Sequence, residues 1–394
     1  MGAVDADDFR DILEAVRDFV HSRVIPLEEQ IEQDDRIPDD LIADSRQMGL
    51  FGWAIPEEYG GLGLDAVQDV ELAMELGYTT PAFRSLFGTN NGIAGQVLVN
   101  YGTEEQKRRW LPRLASGEVV ASFALTEDGA GSDPGGMRTT AVKEGDTYRI
   151  NGSKRFITNA QLSQLLVVFA RTDPSASGTR GISAFLVDTD APGVTVGPHD
   201  RKMGQEGAWT SELFFDDVVV GEDRLIGGQE EGGFRAAMAS LAKGRLHISA
   251  ICVGQAQRIL DESVRHAATA TQGGQPIGTF QLVQGMIGES YAELRAARAL
   301  ALDAARDYRD GTDRKLGPSA SKLYASEMLG RVADRGVQIH GGMGYMRSVP
   351  VERFYRAARL FRIYEGTSEV QKLVLARQLL KTAQGPDVLH AGRR

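Results

Sequence analysis

Apolar residues repeat with helical spacing through the first part of the chain. Polar residues separate the members of the first apolar stripe, which are Phe9, Ile12, Leu13, Val16, Phe19 and Val20. Their i, i+3, i+4, i+7 spacing predicts an amphipathic helix. Similar patterns predict helices over residues 68–77 and 102–115, and Thr103 is placed to cap the second of these.

Near residue 120 the pattern changes to short runs of β-branched and aromatic residues. Seven such runs cover residues 120–126, 147–150, 154–158, 165–170, 182–188, 194–197 and 212–220. Asn151-Gly152 lies between the second and third runs and predicts a tight hairpin, because both positions tolerate positive φ. Consecutive short strands without an intervening helix predict an antiparallel barrel or sandwich.

Helical periodicity returns from about residue 229 and continues to a last predicted helix over residues 367–382. The predicted fold class is therefore multi-domain α+β. Its three parts are an N-terminal α-helical domain over residues 1–119, a middle antiparallel β-barrel or sandwich over residues 120–228, and a C-terminal α-helical bundle over residues 229–394.

Composition narrows the functional classes. The 394 residues include 44 basic and 54 acidic side chains, a net charge of −10, which argues against a nucleic-acid groove or an anionic membrane surface. Cys252 is the only cysteine, so neither a disulfide framework nor a cysteine-based zinc site is expected. No stretch of about 18 apolar residues occurs, and the first residues are acidic. We therefore expect no signal peptide or membrane anchor, and a soluble protein of a reducing compartment, the cytoplasm.

The common phosphate-binding and hydrolytic motifs are missing from the sequence. No G-x-G-x-x-G follows a predicted strand, and no G-x-x-x-x-G-K-[ST] occurs, so Rossmann and P-loop sites lack support. No H-E-x-x-H and no G-x-S-x-G occurs either, so we expect no metal site and no serine hydrolase.

Three segments carry residues suited to chemistry. In Phe123–Asp133 a predicted strand ends in a glycine-rich loop, whose backbone N–H groups can approach a polar or anionic ligand closely. Lys154–Asn159 places an aromatic residue and a hydroxyl two positions apart, which predicts that both lie on one face of a strand. Ile363–Gln371 places Glu365 beside a glycine, just before a predicted helix. Taken alone, this glutamate is more typical of an acidic residue at a helix N-terminus.

These three segments, in this order, resemble the acyl-CoA dehydrogenase family of flavoenzymes. Tyr101–Gln106, Gly341–Tyr345 and Arg245 fit the same family, and the resemblance covers residues 5–382. It implies an FAD cofactor and an acyl-thioester substrate whose Cα–Cβ bond is oxidised, with hydride transfer to flavin N5.

The resemblance also implies the catalytic residues. A thioester α-proton is a very weak acid, so a carboxylate that removes it must be well placed and desolvated. The matching base is Glu365, with Arg245 as a positive charge near it and the thioester. A minority of the family carries its base on the residue before this arginine; here that residue is Gly244, so Glu365 has no competitor by position.

Further site residues follow from the same resemblance. Those expected to contact FAD are Phe123, Leu125, Thr126, Gly131, Ser132, Phe156, Ile157, Thr158, Gln281, Gln338, Gly341, Gly342, Thr367 and Glu369. Those expected to bind substrate are Ser132, Arg84, Ser85 and Arg245. Arg84-Ser85 resembles the pair by which glutaryl-CoA dehydrogenases hold a distal carboxylate, although a structural arginine is the default interpretation.

Two positions depart from the family pattern. Relatives have arginine and phenylalanine, supplied to the FAD of a neighbouring subunit, where this chain has Ala270 and Gly273. An unreplaced guanidinium contact to pyrophosphate is a loss of about 1.5–3 kcal/mol, so we expect weaker FAD retention or compensation by another group. This keeps open a non-catalytic partner subunit with weak FAD binding. An acyl-thioester oxidase or flavin monooxygenase of the same fold stays open as well, because oxygen access depends on tunnel shape.

The resemblance implies partners too. The substrate is expected to be an acyl-CoA or acyl-carrier-protein thioester, and an electron-transferring flavoprotein is the expected electron acceptor. A homotetramer is expected, with a dimer as the minimum.

Overall fold

The computed structural model describes residues 4–176 and 178–382, and the chain divides into two compact units. The first unit comprises the described residues up to Asp69 and those from Thr79 to Gly244. The second comprises Val70 to Tyr78 and the described residues from Arg245 onwards. The division into domains at residues 119/120 and 228/229 stays a prediction.

The N-terminal part of the chain is helical, as its periodicity predicts. Its helices are α1 (Ala6–Phe19), α2 (Glu28–Asp34), α3 (Asp39–Gln47), α4 (Ala66–Gly77), α5 (Pro81–Gly88), α6 (Ala94–Tyr101) and α7 (Glu104–Ala115). The predicted cap of α7 is present: the Thr103 hydroxyl accepts the Gln106 N–H at 3.2 Å, and the Gln106 side chain accepts the Thr103 N–H at 3.0 Å. This reciprocal pair satisfies two backbone donors that the helix itself leaves unbonded.

A seven-stranded sheet follows in the first unit. Its strands are β1 (Ala121–Ala124), β2 (Thr140–Glu144), β3 (Thr147–Thr158), β4 (Leu165–Arg171), β5 (Ile182–Asp188), β6 (Val194–His199) and β7 (Thr210–Gly221). The order is β1-β4-β2-β3-β7-β6, with β5 added on β4. Four neighbouring pairs are antiparallel, whereas β4 runs parallel to both β1 and β2.

Strand β4 is buried on both faces and separates two apolar clusters. Leu165, Val167 and Phe169 pack in a cluster with residues of α6 and α7, whereas Leu166 and Val168 pack in a cluster with residues of β3 and β7. This alternation follows from the two-residue period of a strand. It explains why β4 is apolar at nearly every position.

The hairpin predicted at Asn151-Gly152 is wrong. Residues 147–158 form one continuous strand, and the two-residue turn lies earlier, where Glu144 pairs with Thr147. Asn151 and Asp217 instead exchange hydrogen bonds of 3.0 and 2.8 Å across a register shift between β3 and β7. The Asn-Gly pair therefore serves a β-bulge, for which positive φ at glycine is equally suited.

The second unit is dominated by long helices. They are α8 (Gly233–Thr269), whose first part belongs to the first unit, α9 (Gln281–Asp310), α10 (Leu316–His340), α11 (Pro350–Ala358) and α12 (Ser368–Thr382). A short hairpin of β8 (Thr271–Gln272) and β9 (Gln275–Pro276) lies between α8 and α9. Among the described residues, no helix is long and apolar enough to cross a membrane. The predicted fold class is confirmed.

Candidate active site

The fold brings two of the three predicted segments together within the first unit. The Arg155 N–H donates to the Thr126 carbonyl at 2.8 Å, so the loop after β1 is joined to β3. The Ser122 hydroxyl donates to the Thr158 carbonyl, also at 2.8 Å. The glycine-rich loop and the aromatic-hydroxyl strand are thus neighbours in space.

A bulge in β3 sets how this strand presents its side chains. Lys154 pairs with Leu213 and Ile157 with Ser211, so two residues of β3 face one of β7. Phe156 adopts a left-handed backbone (φ 58°) and is 60% exposed, whereas Ile157 lies in the core. The bulge breaks the strict alternation assumed for Lys154–Asn159. If Ile157 contacts a ligand, it does so through its backbone.

A buried ion pair fastens the glycine-rich loop to β3. Lys154 Nζ lies 2.8 Å from Glu127 Oε1 and 3.2 Å from the Leu125 carbonyl. Glu127 also accepts the Thr139 hydroxyl at 2.6 Å and the N–H groups of Thr139 and Arg138. Burial lowers the pKa of Lys154 to about 8 despite its partner. Burial acts to raise the pKa of Glu127, but the ammonium and these hydrogen bonds outweigh it and lower that pKa.

Helix α5, which carries Arg84 and Ser85, is tied to the end of β3. Asn159 donates through its side-chain amide to the Ser85 carbonyl at 2.8 Å. Arg84 is buried, and a Cβ added at Gly88 would lie 2.8 Å from its guanidinium carbon. Gly88 therefore leaves the room that this guanidinium occupies. The Ser85 hydroxyl donates to the Pro81 carbonyl of its own helix.

In the second unit, Glu365 and Gly366 form a turn just before α12. Both residues have a left-handed backbone, with φ 52° and 90°. A non-glycine residue in this region is strained by about 1–2 kcal/mol, so the conformation must be held by its surroundings. A Cβ at Gly366 would collide with the side-chain amide of Gln371, which explains the glycine.

Four donor contacts hold the two carbonyls of this turn. Gln371 Nε2 donates to the Glu365 carbonyl at 3.2 Å and to the Gly366 carbonyl at 3.1 Å. Lys322 Nζ, from α10, donates to the Gly366 carbonyl at 2.8 Å. Arg245 Nε, from α8, lies 3.5 Å from the Glu365 carbonyl. The fold thus brings the two predicted catalytic residues together.

Charge around the turn is mostly positive and withdrawn from water. Burial lowers the pKa of Arg245, and the charge of Glu365 opposes that shift. Burial likewise lowers the pKa of Lys322 to about 8. Two cations beside one carboxylate favour its charged form and would also stabilise negative charge on a substrate bound there.

The other predicted residues of the second unit lie at helix ends. Thr367 accepts the Val370 N–H and so caps α12, while Glu369 is exposed in the first turn. Gln338, Gly341 and Gly342 lie where α10 ends, and Gly341 has a left-handed backbone (φ 58°).

The segment with the missing arginine is the β8–β9 hairpin. Gly273 and Gly274 form its turn with φ 60° and 83°, so a phenylalanine at position 273 would be strained. Ala270 is half-buried, and Gln281 is exposed as the first residue of α9. Within the described residues, no group of three or more His, Cys, Asp or Glu side chains could hold a metal ion.

Models of a single protein family match nearly the whole chain. They are the acyl-CoA dehydrogenase N-terminal domain over residues 6–118, the middle domain over 122–218 and the C-terminal domain over 231–380. The chain belongs to the acyl-CoA dehydrogenase family. It is an oxidoreductase, and membership of this flavoprotein family implies FAD as the cofactor.

Similar proteins cover nearly the full length of this acyl-CoA dehydrogenase family member. An acyl-CoA dehydrogenase of Bacillus subtilis (strain 168) is 39% identical over 93% of this chain and 96% of its own. The caffeyl-CoA reductase-Etf complex subunit CarC of Acetobacterium woodii is 39% identical over 94% and 97%. The structure of butyryl-CoA dehydrogenase from Megasphaera elsdenii superposes with a TM-score of 0.92 at 33% identity, covering 96% of this chain and 100% of that one.

The first unit offers groups that fit FAD. Phe156 presents an exposed aromatic ring for stacking on a flat heterocycle. The hydroxyls of Thr126 and Ser132 make no hydrogen bond to any described residue, so both are available to a ligand. A Cβ at Gly129 would meet no atom within 4 Å, so the loop backbone is open to close approach. Leu125 is buried and can contribute only its backbone.

Two features of the site have only a weak signal in the sequence. In the sequence, Lys154 and Lys322 look like ordinary polar residues of a strand and a helix. In the structure, both side chains are fully buried beside predicted site segments. Only long-range packing places them there. A lysine at a position that should be apolar by strand or helix period is the single hint available.

Proposed function

We propose that this protein is an FAD-dependent acyl-thioester dehydrogenase in which Glu365 removes the α-proton of the substrate. FAD, when bound, supplies the acceptor at N5 for the β-hydride. The observation that carries the proposal is the Glu365 turn, a carboxylate on a strained backbone held by four donor contacts, one from Arg245. Strain held in this way is typical of residues that act on a ligand.

The residues of the chain take the following roles in this proposal. Glu365 accepts the proton, and Arg245 stabilises the negative charge that develops on the thioester as the proton leaves. Phe156 would stack on the flavin ring, and Thr158 would contact its edge. The remaining expected contacts to FAD are Phe123 of β1, the loop residues Leu125, Thr126, Gly131 and Ser132, Ile157 of β3, and the helix-end residues Gln281, Gln338, Gly341, Gly342, Thr367 and Glu369.

A non-catalytic partner subunit stays the weaker proposal. It is motivated by Ala270 and by the glycine turn at Gly273, which offer neither a guanidinium nor an aromatic ring. The groups available to FAD in the first unit, together with the held Glu365 turn, support catalysis instead.

For the substrate we propose an acyl-CoA thioester. The buried Arg84, beside Ser85, is the candidate anchor for a distal carboxylate on the acyl chain. Glutaryl-CoA is therefore the substrate that tests this pair. Its oxidation would indicate that Arg84 binds the distal carboxylate, whereas no oxidation would indicate a purely structural arginine.

We also propose a homotetramer that passes electrons to an electron-transferring flavoprotein. Large apolar side chains are exposed on two long helices of the second unit, among them Leu282, Tyr291, Leu373 and Leu380. Exposed apolar patches of this kind mark interfaces. The relative named as a subunit of an Etf complex supports the electron acceptor.

An absorbance experiment tests the proposed function. The purified protein is loaded with FAD, and its flavin band is followed under argon after addition of butyryl-CoA, propionyl-CoA, 3-phenylpropionyl-CoA or glutaryl-CoA. Bleaching by one thioester is expected in the unsubstituted protein. Glu365→Gln should keep the flavin band and lose about 10²- to 10⁴-fold in bleaching rate, because the amide cannot accept the proton.

Glu105→Gln serves as the matched control, because Glu105 is exposed on α7 and has no place in the proposed site. It should bleach at the rate of the unsubstituted protein. Near-normal bleaching by Glu365→Gln would overturn the assignment of the base. A chain that takes up no FAD would favour the non-catalytic partner.

A further inference from the structure

Lys322 is a fully buried cation whose only hydrogen bond among the described residues goes to the proposed catalytic turn. Its side chain has no exposed surface, and Nζ lies 2.8 Å from the Gly366 carbonyl. A buried ammonium without a bonded carboxylate is energetically unfavourable. Such a residue is a poor choice for stability alone, because an apolar side chain of the same length would fill the same space.

Helix α10 also bonds residues on either side of the Glu365–Gly366 turn. Glu327, five residues after Lys322, accepts Arg362 Nε at 2.8 Å and the Ser368 hydroxyl at 2.6 Å. One helix therefore contacts the segment before the turn, at the turn and after it. Because α10 is a long regular helix, it is a rigid support for the position of Glu365.

Gln371 is a second donor to the turn, so the turn can form even when the Lys322 ammonium is absent. Gln371 donates to the Glu365 and Gly366 carbonyls. Without the Lys322 ammonium, the Gly366 carbonyl would still have a donor, so the turn would form but with fewer restraints. Loss of Lys322 should therefore affect where the carboxylate lies more than whether the chain folds.

The ammonium also contributes charge. The charged and titratable groups that face Lys322 are Cys252 and Arg245 from α8, Glu327 from its own helix, and Glu365. Burial raises the pKa of the Cys252 thiol, so that group stays neutral at physiological pH. Lys322 and Arg245 thus provide two positive charges near Glu365, and among the described residues Lys322 is the one member of α10 that bonds the turn.

We propose that Lys322 is a positioning residue for Glu365: its ammonium holds the Glu365–Gly366 turn and keeps positive charge beside the carboxylate. This inference rests on the proposed role of Glu365 as the base. It makes Lys322 part of the apparatus that moves the proton, although Lys322 itself transfers none.

The test compares Lys322→Met with Ser326→Ala, both FAD-loaded. Methionine keeps the length of the side chain without donor or charge. Ser326 is buried one turn further along α10, and within the described part of the chain its hydroxyl bonds only the Leu323 carbonyl of its own helix, which makes it the matched control. The probe is the thioester of the panel above that the unsubstituted protein oxidises fastest, used with hydrogen or deuterium at its α-carbon.

Lys322→Met should lower kcat about 10- to 100-fold with KM within about threefold, because a displaced base slows the chemical step. The α-deuterium isotope effect on kcat should rise, and the acidic limb of the kcat–pH profile should move to higher pH, because the carboxylate loses a neighbouring positive charge. A lysine needed only for packing would change neither the isotope effect nor the profile. Ser326→Ala should leave all three readouts unchanged.

Normal kcat and an unchanged isotope effect in folded Lys322→Met would overturn the inference while leaving Glu365 as the base. Failure of Lys322→Met to fold would also overturn it, since Gln371 still serves the Gly366 carbonyl. Activity in Glu365→Gln would instead overturn the proposed function itself. The two failures are therefore distinguishable.

Discussion

Lys154 in the first unit and Lys322 in the second are both withdrawn from water, and they are bonded in different ways. Lys154 faces the Glu127 carboxylate at 2.8 Å. Lys322 faces the Gly366 carbonyl at the same distance, and no ion pair of Lys322 occurs among the described residues. Burial lowers the pKa of each lysine to about 8.

This difference in bonding indicates that the two buried lysines have different roles. The Glu127–Lys154 pair is complete, because each charge has a partner and the carboxylate has further donors from Thr139 and Arg138. It braces the glycine-rich loop against β3. Lys322 lacks a bonded counter-charge, so its burial is unfavourable for stability. That cost is understandable if the cation serves the turn that carries Glu365.

The largest expected effect is on stability after Lys154→Met. This substitution leaves the Glu127 carboxylate buried without its counter-charge, so the free energy of unfolding should fall by about 3–5 kcal/mol. Urea unfolding of the FAD-loaded protein at pH 7, followed by far-UV circular dichroism, measures the change.

The matched control removes both charges. In the double variant Glu127→Gln with Lys154→Met no unpaired charge is left buried, and stability should return to within about 1 kcal/mol of the unsubstituted protein. A single variant as stable as the double one would show that the pair is not a brace, and the contrast between the two lysines would fail.

The sequence predicts those parts of the molecule that depend on local rules. The α1 stripe and the Thr103 cap follow from helical period and capping preference, and both are present. The order α, then β, then α follows from the change of period near residues 120 and 229. The sequence also singles out the Glu365-Gly366 segment, because a carboxylate lies beside a glycine there. It does not predict the left-handed backbone of these two residues.

What the sequence does not predict depends on contacts between distant residues. Asn151-Gly152 is a good hairpin signal, yet pairing with β7 makes it a bulge because Asp217 takes the Asn151 side chain. The bulge that exposes Phe156 has no local signature either. Burial of Lys154 and Lys322 arises only when other strands and helices pack around them.

The second prediction is a stability change of opposite sign for Lys322→Met. The variant removes an ammonium that burial disfavours, and the Gly366 carbonyl retains Gln371 as a donor. A pKa lowered from 10.5 to about 8 corresponds to about 3 kcal/mol of differential interaction, so at pH 7 the variant should gain up to about 3 kcal/mol. The same urea unfolding experiment measures this gain in stability. Ser326→Ala serves as the control, because it changes a buried side chain of α10 without changing charge.

The difference in stability between the unsubstituted protein and Lys322→Met should also depend on pH. Above about pH 8 the folded protein loses the Lys322 proton while the unfolded chain keeps it up to about pH 10.5. The unfolded state then binds more protons, so stability of the unsubstituted protein relative to Lys322→Met should rise through this window. The advantage of the variant should therefore be full at pH 7 and nearly gone at about pH 10.5. A stability difference independent of pH between 7 and 10 would mean that the Lys322 charge is compensated in the folded protein, and Lys322 would no longer stand as the uncompensated cation of the comparison.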